Sequence, residues 1–185
     1  MADLKGLRVA ILASDGVEQA ELTEPQKFLQ QLGADVRVLS PDGEAIQAMQ
    51  HDEKTDKIPA QGSIKQASAR EYDAVLLPGG ALNSDKLRMN NEARRFVKEI
   101  DRAKKPVAAI CHAPWLLISA GLVKGRSVTS YYTIQDDLRN SGASWTDDAV
   151  VRDHNWVTSR QPSDIPAFNR VMVELLSGAR SKQAA

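Results

Sequence analysis

The amino-acid sequence predicts an α/β domain in which a mostly parallel sheet carries helices on both faces. Two observations lead to this prediction. Short apolar runs of strand length alternate with amphipathic segments of roughly ten residues or more, which is typical of strand–helix–strand units with right-handed crossovers. The chain has 185 residues, of which 42% are hydrophobic and 26% charged, and this length and composition suit one soluble globular domain.

Each element in the first half follows from its own residues. The strands are compact apolar runs that end in turns rich in Gly, Pro or Asp, and the helix between the first two strands ends at Gly33. The predicted elements are a strand over 7–13, a helix over 22–32, strands over 34–40 and 72–80, and an irregular excursion over 43–70 that contains short strands or a hairpin.

The second half follows the same logic. Its last helix has Ser163 and Asp164 as caps with Pro166 in the first turn, and we expect it to run to about Leu176. The predicted elements are a helix over 91–103, a strand over 106–110, a helix over 113–121, a short strand over 126–130, a helix over 133–142, a hairpin over 148–160 that turns at 153–155, and the last helix. We expect a single domain over 1–185 with a disordered tail from about 178.

One stretch, "KKPVAAICHAPWLLISAG", raises the question of what kind of segment it is. From Pro106 to Val123 there are 18 residues without a formal charge, enough in length alone for a membrane span. His112, two prolines and Gly121 argue against a span. "PVAAI" is instead typical of a short buried strand and "APWLLISAG" of a helix, so a sharp turn at Cys111 joins them.

Three polar clusters follow predicted strands: "SDGVE" after the first, "PGGALNSD" after the third and "CHAP" after the fourth. Ligands bind beyond the carboxyl ends of the strands in parallel sheets. We therefore expect the three clusters to meet and to form the functional site.

Cys111, the only cysteine, is the candidate nucleophile. A helix N-terminus favours the thiolate, so we expect a lowered pKa for Cys111. The N–H after the nucleophile and one from Gly79-Gly80 would form an oxyanion hole. Glu18 is expected to share the pocket and, when protonated, to donate a hydrogen bond to the sulfur. A buried structural thiol and an exposed loop acid remain the alternatives for Cys111 and Glu18.

Composition and motifs exclude several classes of function. The 24 basic residues equal the 24 acidic ones, so the sequence shows no electrostatic sign of a nucleic-acid or membrane partner. His51 and His154 are expected at the surface, and no set of residues has the spacing of a metal site. A glutamine amidotransferase would need a His-x-Glu motif after the cysteine, and a serine hydrolase would need a Gly-x-Ser-x-Gly motif. No His-x-Glu follows Cys111 and no Gly-x-Ser-x-Gly occurs in the sequence, which argues against both classes of enzyme. One cysteine and a short N-terminal apolar run predict a cytoplasmic location.

Four stretches together resemble the PfpI family of intracellular cysteine peptidase-like proteins: "VLLPGG", "KPVAAICHAPWLLISAGLVKGR", "TSYYTIQDDLRNSGASW" and "NWVTSRQPSDIPAF". The family shares a superfamily with the Parkinson-disease-associated protein deglycase and the glutamine amidotransferase domains. The resemblance runs from Leu7 to about Leu176. It implies a flavodoxin-like three-layer sandwich with a nucleophile elbow at Cys111.

The resemblance also implies roles for individual residues. His112 would be the catalytic partner of Cys111, and Glu18 would be the acid in contact with the sulfur. Gly80 and His112 would donate backbone N–H groups to the oxyanion. The family forms dimers or hexamers, and an acid of the neighbouring subunit, here aligned with Asp85, would orient the histidine.

Two aromatic residues, Tyr131 and Trp115, are expected to line the pocket, although Trp115 is equally compatible with a core position. The activity implied by the resemblance is a cofactor-independent cysteine hydrolase or lyase of stress protection, acting on peptides or on glyoxal and methylglyoxal adducts. The alternative is a non-enzymatic stress protein or chaperone in which oxidation of Cys111 is the signal.

Overall fold

The computed structural model describes the backbone of residues 3–183 and the side chains of residues 3–179. The elements, in chain order, are β1 (Arg8–Leu12), β2 (Val17–Glu18), α1 (Gln19–Gln31), β3 (Asp35–Ser40), β4 (Ile46–Gln50), β5 (Glu53–Ile58), β6 (Gly62–Ser63), β7 (Ala74–Leu77), α2 (Ala81–Met89), α3 (Asn91–Arg102), β8 (Val107–Ile110), α4 (Pro114–Ser119), β9 (Ser127–Val128), α5 (Gln135–Asn140), β10 (Ser144–Trp145), β11 (Val150–Asp153), β12 (Trp156–Ser159) and α6 (Ile165–Gln183).

Across the described residues the central sheet has seven strands in the order β11-β12-β8-β7-β1-β3-β6. Neighbouring strands run parallel, except that the edge strand β11 pairs antiparallel with β12. The first strand is an interior strand, fifth in this order, as expected for a sheet that grows outwards on both sides through crossovers. The predicted mostly parallel sheet is confirmed.

Both faces of the sheet are buried, which explains why its strands are apolar throughout rather than alternating with polar residues. In β1, Val9 and Ile11 belong to one core together with side chains of α1 and α6. Ala10 and Leu12 point to the opposite core, which contains side chains of α2, α3, α4 and α5. The result is the three-layer sandwich of helix, sheet and helix that the flavodoxin-like resemblance implies.

The excursion over 43–70 contains the predicted hairpin. β4 pairs antiparallel with β5, and the short strand β2 pairs with the other edge of β4. His51 lies in the hairpin turn with a φ of 57°. Because β2 leads directly into α1, this pairing places the hairpin turn next to the start of α1.

Two helices differ from the prediction. Residues 81–89 form α2, although "ALNSDKLRM" has only a weak apolar stripe, with Leu87 its buried large side chain. The last helix continues past Leu176 to Gln183, so the predicted disordered tail is wrong for residues 178–183; residues 184–185 lie outside the described range. Gly178 does not interrupt this helix, since glycine lowers helix stability by only about 1 kcal/mol and its neighbours are good helix formers. None of the helices within residues 3–183 is long and apolar enough to cross a membrane.

Candidate active site

The carboxyl ends of β1, β7 and β8 meet at one edge of the sheet, as predicted. Just past β1, the Ser14 N–H donates to Asn83 Oδ1 of α2 at 2.7 Å. Gly79, after β7, lies so close to the elbow that a Cβ built on it would stand 2.5 Å from Cys111 Cβ. The three polar clusters found in the sequence therefore form one site.

Cys111 occupies a sharp turn between β8 and α4. Its φ is 65°, a left-handed conformation that is rare for residues other than glycine and is frequent at strained functional turns. Two backbone hydrogen bonds hold the turn: the Cys111 N–H donates to the Ser159 carbonyl at 3.0 Å, and its carbonyl accepts from the Tyr131 N–H at 3.0 Å. The predicted nucleophile elbow is confirmed in its geometry.

The Cys111 side chain opens onto a cavity of about 540 Å³. The cavity lining combines carboxylates, histidines and small residues and consists of Glu18, Glu21, His51, Asp52, Gly80, Ala81, Cys111, His112, Tyr131, Gln161, Pro162 and Ser163. Its volume suits a small organic molecule or a peptide side chain.

His112 lies against the sulfur, with Nδ1 at 3.1 Å from Cys111 Sγ. Tyr131 lines the cavity as predicted, and its ring centroid is 4.9 Å from that of His112. Trp115 does not line the cavity, which corrects the prediction. Its indole N–H donates to Asp137 Oδ2 at 2.7 Å, and its ring meets His112 edge-on at 5.3 Å, so it packs behind the histidine.

The acid beside the sulfur is Glu21, not Glu18. Glu18 lines the cavity, but its Oε2 accepts the backbone N–H of His51 at 3.0 Å. Glu21 is completely buried, and its carboxyl interacts with the Cys111 thiol. The physical reason is helix geometry: Glu18 is the N-cap of α1, whereas Glu21 lies on the face that α1 buries.

Burial raises the pKa of Glu21 to about 8, so this carboxyl is neutral at pH 7. Its Oε2 accepts the Gly79 N–H at 2.8 Å, while its Oε1 is buried without a hydrogen-bond partner of its own. The proton of the neutral acid therefore belongs on Oε1, from where it can be donated towards Cys111.

Burial raises the pKa of the Cys111 thiol, and the charge of Glu21 raises it further when that carboxyl is ionised. The backbone N–H groups of Gly80 and His112 lower the pKa of the thiol. This is opposite to the lowered pKa expected from the sequence. The expected helix effect is small because α4 has only 6 residues and the thiol is buried. The Cys111 thiol is therefore protonated at rest, and a base must remove its proton.

The glycine pair also differs from the prediction. The Gly79 N–H is occupied by Glu21, so Gly79 does not donate to an oxyanion. The N–H groups of Gly80 and His112 are the ones directed at the sulfur. Gly80 has a φ of 87°, and a Cβ there would stand 2.3 Å from the Gly16 carbonyl oxygen, so this close approach requires glycine.

Asp85 lies exposed on α2 and outside the cavity lining. Its predicted role towards His112 of another subunit stays a prediction. His51 is exposed and borders the cavity, and His154 is exposed in the hairpin turn, with a φ of 52°. Among the residues that the structure describes, no group of three His, Cys, Asp or Glu side chains could hold a metal ion.

Comparison with known proteins agrees with this geometry. The profile of the DJ-1/PfpI family matches residues 7–175. Deglycase TK1284 of Thermococcus kodakarensis is 40% identical over 174 residues, which cover 92% of this chain and 99% of the relative. General stress protein 18 of Bacillus subtilis is 38% identical over 173 residues, covering 92% and 98%. The crystal structure of Drosophila melanogaster DJ-1beta superposes with a TM-score of 0.83 at 26% identity, covering 100% of this chain and 99% of that one.

Proposed function

The chain belongs to the DJ-1/PfpI family, and we propose that it is a cofactor-independent cysteine hydrolase or lyase of stress protection. Its substrates in this proposal are peptides or the adducts that glyoxal and methylglyoxal form on proteins. The names of two relatives, a deglycase and a general stress protein, support this choice. The single observation that carries it is the 3.1 Å contact between Cys111 Sγ and His112 Nδ1 at the mouth of a cavity.

The first chemical step is attack on a carbonyl carbon. Burial lowers the pKa of His112, so its imidazole is neutral at pH 7 and can act as a base. As Cys111 Sγ bonds to the carbon, the thiol proton moves to His112 Nδ1 and the electron pair of the C=O bond moves to oxygen. The oxyanion then accepts hydrogen bonds from the N–H groups of Gly80 and His112.

The second step releases the leaving group. With a peptide, the oxyanion re-forms the carbonyl, the carbon–nitrogen bond breaks, and protonated His112 gives its proton to the departing amine. Water then attacks the thioester carbon with neutral His112 as the base, the carbon–sulfur bond breaks to release the carboxylic acid, and protonated His112 returns its proton to Cys111 Sγ. Every proton in this cycle passes through His112 Nδ1, so turnover requires both side chains.

The neutral Glu21 carboxyl supports the same step. Its proton on Oε1 stabilises negative charge that develops around the sulfur, and it adds no second charge to the pocket while it is neutral. An ionised carboxylate in the same position would oppose that charge. Glu21 therefore favours the reaction only below the pH at which it ionises.

Turnover of methylglyoxal, a glycated peptide and an unfolded protein would test the proposal. We expect at least one substrate to be consumed by the wild type and not by Cys111→Ser or His112→Asn. His154→Asn is the matched control, because His154 is 84% exposed and distant in sequence from the elbow. A protein whose Cys111 oxidises normally in His112→Asn, with no turnover in the wild type, would instead be an oxidation sensor.

A further inference from the structure

A second cavity, of about 470 Å³, lies at the opposite edge of the sheet from the candidate active site. It is bordered by residues that precede β8 and β12, whereas Cys111 follows the carboxyl end of β8. The proposed reaction gives this cavity no role. Among the described residues its lining contains no Asp or Glu, and its basic members are Lys104, Lys105, Arg152 and His154.

Two of these four basic side chains are free to bind an anion. Lys105 Nζ already donates to backbone carbonyl oxygens, and His154 Nε2 lies 3.5 Å from Asp153 Oδ1. The side chains of Lys104 and Arg152 are exposed and form no ion pair or side-chain hydrogen bond with the part of the chain that the structure describes. A chain with zero formal net charge therefore has unpaired positive charge at this cavity.

Lys104 holds its charge there in a backbone conformation that favours glycine. Helix α3 ends in a Schellman turn, in which the Lys104 N–H donates to the Asp101 carbonyl at 2.9 Å and the Lys105 N–H donates to the Ile100 carbonyl at 3.1 Å. The residue at the position of Lys104 in this turn is usually glycine, because its φ is positive. Lys104 has a φ of 57°, so a cation replaces the residue that the turn prefers.

Residues other than glycine with a positive φ occur at only these two cavities within the described chain. His51 and Cys111 line the candidate active site, and Lys104 and His154 line the second cavity. Such conformations cost free energy and are concentrated at functional sites. The second cavity therefore shares with the first a feature that packing alone does not require.

We propose that this cavity binds a phosphate monoester with an apolar body, through Lys104 and Arg152. A phosphate monoester carries a charge of about −1.5 to −2 at neutral pH, which matches two unpaired cations. The Arg guanidinium binds two phosphate oxygens at once, and the Lys ammonium adds a point charge. The buried residues Pro106 and Leu175 supply the apolar wall for the rest of the ligand, and the volume suits a small organic molecule.

Phenyl phosphate is the probe for this site, because it joins a phosphate monoester to a small apolar ring. Benzoate has a single charge, inorganic phosphate has no apolar body, and benzyl alcohol has no charge, so these three are the comparison ligands. Binding to the full chain at neutral pH and low salt is followed by the backbone amide NMR shifts of Lys104 and Asn155. The amides of Gly80 and Cys111 report the active site in the same spectra, and no step requires turnover of a substrate.

Two variants remove the cations one at a time. Lys104→Gly also supplies the residue that the turn prefers, and Arg152→Gln keeps a long polar side chain. Lys98→Gln is the matched control, because Lys98 is exposed on α3 and lines neither cavity. We expect each of the first two variants to weaken phenyl phosphate binding about threefold to tenfold, and the control to leave it unchanged. Lys104→Gly should also unfold at a higher temperature, since glycine relieves the strained turn.

In the wild type we expect phenyl phosphate to bind more tightly than benzoate or inorganic phosphate, and benzyl alcohol not to bind. Shifts centred on Cys111, or amides of Lys104 and Asn155 that do not respond to millimolar phenyl phosphate, would overturn the proposal. Equal affinity in the wild type and both cation variants would overturn it too, by limiting Lys104 to the negative end of α3. Equal affinity for phenyl phosphate and inorganic phosphate would overturn the assignment of an organic ligand.

Discussion

Replacing Glu21 by Gln tests the neutral acid beside the sulfur. Gln has the same shape, and its oxygen can accept the Gly79 N–H just as Glu21 Oε2 does. The two proteins differ in one proton equilibrium. In the folded wild type the pKa of Glu21 is raised from its ordinary value near 4.5 to about 8, whereas the unfolded chain ionises at the ordinary value.

The sign of the effect follows from proton binding. Between pH 4.5 and about 8 the folded state holds a proton that the unfolded state has lost, so the free energy of unfolding falls as the pH rises. The stabilising contribution is complete below pH 4.5 and is lost by about pH 8. The slope is about 1.4 kcal/mol per pH unit, and over the whole window the loss is about 5 kcal/mol. Glu21→Gln lacks this slope.

The assay is urea unfolding, followed by circular dichroism at one-unit steps from pH 4.5 to 8.5 and at a fixed protein concentration. We expect Glu21→Gln to gain stability over the wild type steadily across the window. Glu24→Gln, which makes the same change on the exposed side of α1, should track the wild type. Parallel plots of the free energy of unfolding against pH for the wild type and Glu21→Gln would refute the reasoning. The Glu21 carboxyl would then lose its proton in the folded protein far below pH 8.

Three further predictions concern His112, two glycines and a buried ion pair. The turnover rate should fall on acidification with its midpoint at a pH below 6.5, because burial lowers the pKa of His112 and the neutral imidazole persists to lower pH. A pH–rate profile with its midpoint above pH 6.5 would contradict this prediction. Thermal unfolding should show Gly79→Ala destabilised by about 1–3 kcal/mol, since its Cβ would stand 2.4 Å from the buried acid, and Gly178→Ala, in an open helical position, stabilised by about 1 kcal/mol. Asp101→Ala should cost about 3–5 kcal/mol in urea unfolding, because it removes both the 2.8 Å partner of the nearly buried Arg126 and the acceptor of the Trp156 indole N–H at 2.7 Å. Arg126 keeps its longer ion pair with Asp153 at 3.6 Å, and a cost below about 1 kcal/mol would show that this second pair and solvent replace Asp101.

The sequence was sufficient to predict the framework of the site. Apolar runs with polar clusters after them gave the strands, and parallel-strand geometry alone predicted that the clusters at 14–18, 78–85 and 111–114 would meet. The elbow at Cys111 followed because a strand and a helix share an uncharged segment with no room for a loop. These inferences depend on chain direction and strand length, which local sequence encodes well.

The choice between the two acids was wrong because it used proximity to the strand end instead of helix phase. A signal was present: Glu21, Pro25 and Leu29 follow one another at intervals of four residues and share one face of α1. An acid in line with a proline and a leucine on a buried helix face is the unusual residue to select. The pKa of Cys111 could not be predicted because it depends on how deeply three elements bury the thiol.

The two glycines after β7 link the acid to the nucleophile. Gly79 lies between Glu21 and Cys111, where a side chain would separate them, and its N–H orients the carboxyl. The next N–H along the chain, that of Gly80, is directed at the sulfur. The Glu21 carboxyl and the proposed oxyanion donor are therefore fixed to consecutive residues of a single loop. When Glu21 ionises near pH 8, its charge opposes the anion that the Gly80 N–H would stabilise, so the loop that orients the acid also connects its protonation to the chemistry at Cys111.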